Sequence, residues 1–169
     1  MTHSKPTKTA LKAGIDYTGI LCVALIPKPK EPTLLLLLQR SLTSIIEPGL
    51  YELPSSNLEF QDTPLECICN GIRTQTTLII NPYHQAPILT HITRGQHWLQ
   101  IPYLTQLQHN SPIEPNLRLN KNYNDHLWTT PQNALKKYQL TRGTELLLNT
   151  YVENHNQQWK PRKHNTNQP

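Results

Sequence analysis

Four acids stand close together in the stretch GLYELPSSNLEFQDTPLECICNGIRTQTTL, residues 49–78: Glu52, Glu59, Asp62 and Glu66. Carboxylates at that density can gather a hard divalent cation, whose ligands are oxygens. Each also has an ordinary role open to it. Glu66 is placed to close a helix cap, Glu59 and Asp62 fall in a polar loop where water solvates them, and Glu52 alternates with Tyr51 on a strand and can bond loop backbone. Three histidines, His84, His91 and His97, lie on strand-like segments, the last two on either side of the turn TRGQ. A two-histidine metal pair across a hairpin stands beside the commoner role of polar sheet residues. Trp98, Tyr103 and Trp128 supply rings that can stack a base or fill a core. No serine or cysteine sits in a nucleophile-elbow context, and no glycine-rich phosphate loop is present among only 6 glycines.

The elements that position these residues follow from patterning. Residues 15–26 are apolar and partly β-branched and end before prolines, which predicts a strand. KPKEP reads as a loop. Residues 33–40 carry the continuous run Leu34–Leu38, too short for a helix between its flanking breaks and suited to a buried strand. Residues 50–53 predict a short strand stopped by Pro54, and SSNLEFQD a polar loop. Thr63-Pro64-Leu65-Glu66 is a capping box with proline at the first helical position. Leu65, Ile68, Cys69 and Ile72 then fall on one helical face. The end of that helix is poorly marked, with Gly71 unfavourable and Thr74, Thr76 and Thr77 giving no clean cap.

Further strands are expected from residue 78, over 84–93, over 98–106 with an interruption at Pro102, and over 124–128. HNSPIEPN reads as a loop. Thr130-Pro131 caps another helix, and residues 141–155 predict a last one with Leu146, Leu147, Thr150 and Tyr151 on one side. The order strands, helix, strands, helices indicates an α+β chain, an α/β/α sandwich with a mixed β-sheet. One domain spans residues 15–155, between a flexible lead-in over 1–14 and a basic, polar tail over 156–169.

Length and composition agree. A chain of 169 residues with 36% apolar and 16% charged residues is one polar, weakly charged domain. The net charge of +5 gathers at the ends, at Lys5, Lys8 and Lys12 and at Lys160, Arg162 and Lys163. Such tails are solvated by default and give at most a weak attraction to nucleic acid. Cys22, Cys67 and Cys69 make no disulfide framework and read as small apolar residues in a reducing compartment. The longest apolar run is too short to span a bilayer, so no membrane association is expected and an intracellular, cytoplasmic location is.

Tyr51-Glu52-Leu53-Pro54-Ser55-Ser56-Asn57-Leu58-Glu59-Phe60-Gln61-Asp62-Thr63 resembles, without a gap, the opening W-E-L-P-G-G-K-x-E-x-G-E-T of the Nudix hydrolase motif. Residues 64–78 run on in register with P-x-E-A-A-x-R-E-x-x-E-E-x-G-L. Residues 15–21 and 37–41 look like the two family strands before the motif, and residues 124–135 like the closing strand and helix. The resemblance covers roughly residues 15–151.

The resemblance implies that the domain descends from enzymes cleaving nucleoside diphosphate derivatives. In them the glutamates of R-E-x-x-E-E hold Mg²⁺ or Mn²⁺, which binds the diphosphate and activates water. Here Asn70 matches the arginine, and Gly71, Thr74 and Gln75 match the three glutamates. The two loop glycines are Ser55 and Ser56, and a further family carboxylate is matched by Asn122. None of these supplies an anionic oxygen. The resemblance therefore implies an inactive binding or protein-interaction module, with no metal cofactor and a nucleotide-like ligand or a protein as partner. The alternative is a divergent hydrolase that holds Mg²⁺ or Mn²⁺ with relocated carboxylates, Glu52, Glu59 and Asp62.

Overall fold

The computed structural model describes residues 19–93, 95–109, 111 and 117–155. The expected lead-in, the basic tail and most of the loop over 109–116 lie outside the described residues. Two small sheets form the framework. In the first, β1 (Gly19–Leu25) lies between β5 (Ser55–Asn57) and β8 (Gln96–Leu107), and the far edge of β8 is shared by β6 (Ile80–Gln85) and β7 (Leu89–Thr93). In the second, β3 (Glu31–Arg40) pairs with β2 (Pro27–Lys28), β4 (Tyr51–Glu52) and β9 (Tyr123–Thr129). β1 and β8 run parallel and the other pairs antiparallel, so the first sheet is mixed.

The central strands are apolar on both faces because each face has its own core. Cys22, Ala24 and Ile26, with Leu36 and Leu38, enter a first core beneath α1 (Pro64–Thr76). Val23 and Leu25, with Leu35 and Leu37, enter a second beneath α2 (Pro131–Lys137) and α3 (Arg142–His155). The leucine run is thus a strand serving two cores at alternate positions, and the α/β/α sandwich is the observed arrangement.

Helix α1 starts as its sequence dictates. The Thr63 hydroxyl accepts from the Glu66 N–H at 3.3 Å, and the Glu66 carboxylate accepts from the Thr63 N–H at 3.1 Å and from its hydroxyl at 2.7 Å. The buried stripe differs from the expected one: Cys67, Ile68, Ile72 and Thr76 are covered, whereas Leu65 is 51% exposed. Close contact with β5 turns the helix toward Cys67 and Gly71. The threonines at its end are accommodated. Thr74 and Thr76 hydroxyls donate to the carbonyls one turn back, at 2.8 and 2.7 Å, and Thr77 turns the chain out at φ 64° with its N–H on the Arg73 carbonyl.

Other differences have plain causes. KPKEP is a tight hairpin between β2 and β3 rather than an open loop. The segment over 84–93 is broken between β6 and β7, because Pro87 has no N–H to give the ladder. β8 runs through Pro102 without interruption. The Pro102 carbonyl accepts from the Ala86 N–H at 2.8 Å, so its imino side faces that same break, where no strand carbonyl needs a donor. In α3 the covered stripe is Thr144, Leu147 and Leu148 with Tyr151; Leu146 is only half-buried. Among the described residues no helix is long and apolar enough to cross a membrane.

Candidate functional site

The stretch expected as a polar loop contains strand β5, and β5 separates two different surfaces. Ser56 pairs with Cys22 and faces α1, while Ser55 and Asn57 pair with Val23 and Leu21. Gly71 of α1 lies directly on Ser56: a Cβ at residue 71 would stand 2.3 Å from the Ser56 Cβ and 2.4 Å from its Oγ. The Gln75 amide donates to the Ser55 carbonyl at 2.6 Å, and the Cys67 thiol donates to the Asn57 carbonyl at 3.1 Å. The Cys22 and Cys67 thiols also meet beneath β5. Of the four helix positions singled out above, Gly71 and Gln75 are packed under β5, and Asn70 and Thr74 are exposed.

The four acids are not gathered. The Glu52 carboxylate is buried and accepts from Arg40 Nη1 at 2.8 Å and from the Tyr123 hydroxyl at 2.9 Å. Burial pushes the Glu52 carboxyl above its ordinary value, against the pull of Arg40 and Tyr123. Glu66 is exposed and held in the helix cap, with its carboxyl lowered by the Thr63 hydroxyl and N–H. Glu59 and Asp62 are exposed on a turn closed by an Asp62 N–H to Glu59 carbonyl bond of 3.3 Å. Among the described residues no three or more of His, Cys, Asp and Glu form a group that could hold a metal ion. A divalent cation beside α1 would meet the amide of Gln75, the hydroxyl of Thr74 and the bare backbone of Gly71. That donor set does not fit Mg²⁺ or Mn²⁺, which take carboxylates beside phosphate oxygens.

A cleft of about 160 Å³ opens on the other surface of β5, between strands β1, β7 and β8 and the start of α3. Its floor and its rim are tied together. The Thr144 hydroxyl accepts from the Leu53 N–H at 2.9 Å, Thr141 N–H donates to the Tyr51 carbonyl at 2.9 Å, and Gly143 sits so close to Gln100 that a Cβ there would lie 2.3 Å from Nε2. Glu47 closes one side in a left-handed conformation (φ 47°) and accepts from the Arg142 N–H at 3.2 Å. Arg40, Glu52, His91, Thr93, Trp98 and Gln100 all line the space.

Four buried polar atoms of these residues have no partner among the described residues: Arg40 Nε, His91 Nδ1, Thr93 Oγ1 and Gln100 Oε1. Burial also lowers His91, which keeps its ring neutral at physiological pH. Of the aromatic candidates, Trp98 lines the cleft, Tyr103 is buried in the first core, and Trp128 packs against that core from β9. His91 is paired with Trp98 and His97 with Ile92, so the two histidines alternate to opposite faces of the hairpin. Arg40 and Gln100 escaped notice in the sequence. Gln100 signals itself only as a polar residue between Leu99 and Ile101, and Arg40 only as the polar end of the leucine strand.

No protein-family model matches the chain, and no curated protein matches it in sequence. Solved structures do share its fold. A MutT protein from Methanosarcina mazei superposes with a TM-score of 0.70 at 16% identity, over 85% of this chain and 99% of the other. The Nudix domain of Shewanella oneidensis NrtR, complexed with ADP-ribose, gives 0.65 at 15% identity over 90% and 94%. A C. elegans Ap4A hydrolase gives 0.61 at 14% identity over 80% and 96%.

Proposed function

We propose that this chain, which has the fold of the Nudix hydrolases, is a binding module without pyrophosphohydrolase activity. The observation that carries the reading is the contact of Gly71 with Ser56. Where the resemblance expects a glutamate on the helix and a glycine on the loop, this chain has the reverse distribution of bulk. The loop side chain fills the space and the helix offers none. Gln75 adds to this, since its amide nitrogen is bound to the Ser55 carbonyl, a partner that would repel a carboxylate. The relocated acids are also occupied or apart, with Glu52 held by Arg40 and Tyr123. The open cleft is what such a module would bind with, and the ADP-ribose complex of a domain of the same fold supports a nucleotide-like ligand.

The test is incubation of the full chain with Mg²⁺ or Mn²⁺ and ADP-ribose, a dinucleoside polyphosphate or an oxidised nucleoside triphosphate. The expected result is no hydrolysis above the protein-free blank, and no heat of divalent-cation binding by calorimetry. Metal-dependent turnover that disappears in Glu59→Gln or Asp62→Asn would establish the relocated-carboxylate enzyme instead.

A further inference from the structure

We propose that the cleft between the start of α3 and strands β7 and β8 takes a ligand without phosphate, a purine base or its nucleoside, and takes it without metal. The inference rests on the binding reading above and goes on to name the ligand class.

Its first support is the set of unpartnered atoms. A buried polar atom left unpaired costs about 1–3 kcal/mol. Arg40 Nε, His91 Nδ1, Thr93 Oγ1 and Gln100 Oε1 all belong to residues lining one cleft. Gln100 is 4% exposed, so bulk water does not satisfy it. Together the four offer a fixed donor (Arg40) and three groups that can donate or accept: Thr93, neutral His91 and the Gln100 amide, which a half-turn reverses. A ligand edge with alternating ring nitrogens and exocyclic amino or oxo groups meets that combination.

The second support is shape. The six-membered ring of Trp98 lies over Gly19, where a Cβ would stand 2.3 Å from the ring carbon Cζ3. This presents a half-buried indole to the cleft as a stacking surface, of the kind that contributes about 1–3 kcal/mol per base. The volume of about 160 Å³ falls below the range of about 300–1,000 Å³ that holds drug-sized ligands. A base fits inside it, and a sugar or anything beyond it would extend out of the cleft.

The third support is charge. Among the described residues of the lining the charged ones are Arg40, Glu47 and Glu52, one cation against two carboxylates. Both Nη atoms of Arg40 are engaged, with Glu52 at 2.8 Å and Ser44 Oγ at 3.0 Å. The nearby Arg142 guanidinium is exposed and paired with Glu145 at 2.9 Å. Among the described residues, a phosphate or diphosphate entering this cleft meets net negative charge, with no uncommitted cation in the lining and no metal site to offset the repulsion.

The experiment is calorimetric titration of the full chain in EDTA with adenine, guanine, adenosine, guanosine, AMP, GMP and ADP-ribose. At least one base or nucleoside is expected to bind, with its phosphorylated forms at least tenfold weaker. Gln100→Leu, close in size but without the acceptor, should weaken that ligand at least tenfold. Thr93→Val, a milder change on an edge strand, should weaken it at least threefold and guards against a misfolded Gln100 variant. Failure of every base and nucleoside to bind at millimolar concentration, as when ordered water alone satisfies the four atoms, would overturn the proposal. So would unchanged affinity in the folded variants. Tighter binding of AMP, GMP or ADP-ribose without turnover overturns the ligand class and leaves the binding-module reading standing. Mg²⁺-dependent hydrolysis of ADP-ribose overturns both.

Discussion

The two surfaces of β5 were built by the same three residues and came out opposite. Toward α1 the contacts close the gap, Ser56 on Gly71, Gln75 on the Ser55 carbonyl and the Cys67 thiol on the Asn57 carbonyl, and one buried atom there, Gln75 Oε1, stays unpaired. Toward the cleft, Ser55 and Asn57 border a space in which four buried polar atoms stay unpaired. A protein interior does not tolerate that many unmet hydrogen bonds in one place without a reason. One surface of the strand is given over to packing against α1, while the other borders an open cleft lined by polar groups.

The comparison can be broken most directly at residue 71. Gly71→Glu should destabilise the chain by about 3 kcal/mol or prevent folding, since overpacking alone costs about 1–3 kcal/mol and a buried carboxylate adds to it. Gly71→Ala separates the steric part: it gains about 1 kcal/mol in helix propensity and still loses overall. Adding Ser56→Gly should recover stability in both, read as urea midpoints. A Gly71→Ala protein at least as stable as the parent, with Ser56 intact, would mean that the surface toward α1 is not closed.

A smaller effect is expected at Gln75. Gln75→Glu replaces the donor to the Ser55 carbonyl with an acceptor, at a cost of about 1–3 kcal/mol. The carboxyl can still donate when protonated, so the loss should grow as pH rises through the carboxylate range. Equal stability losses at about pH 4 and pH 7 would contradict this assignment.

The helix cap gives the smallest and sharpest reading. Thr63→Ala should cost about 1 kcal/mol. Glu66 has a lowered carboxyl in the folded state, so its contribution is present above its ordinary value of 4.5 and fades as pH falls through the folded value. The stability gap between the parent and Glu66→Gln should therefore narrow in acid. A gap that stays constant would show that the carboxylate is not part of the cap.

What was legible in the sequence was whatever is decided locally. The Thr63–Glu66 box, the proline-started helices and the two-core leucine strand all follow from a few neighbouring residues. Strand β5 was not legible, because Ser55, Ser56 and Asn57 have poor strand propensity and are extended only by pairing with β1. The passage of β8 through Pro102 depends on where two other strands leave a break. The cleft was least legible of all. Thr144 reaches Leu53 across 91 positions, and Gln100 becomes informative only when Gly143 is seen to rest on it. The rotation of α1 away from Leu65 likewise reflects contact with β5, which periodicity along the helix does not contain.

The meeting of Cys22 and Cys67 gives the molecule a built-in clock. Cys22 is 0% exposed, and burial, with Cys67 beside it, pushes its thiol up to about 12. At neutral pH such a sulfur is almost wholly protonated, so an alkylating reagent reaches it only through molecules whose helix has lifted from the sheet. Cys69, half-buried on the same helix, should label first. The lag before Cys22 is modified then counts how often α1 leaves β1, and a nucleoside that tightens the cleft without touching α1 should leave that lag unchanged.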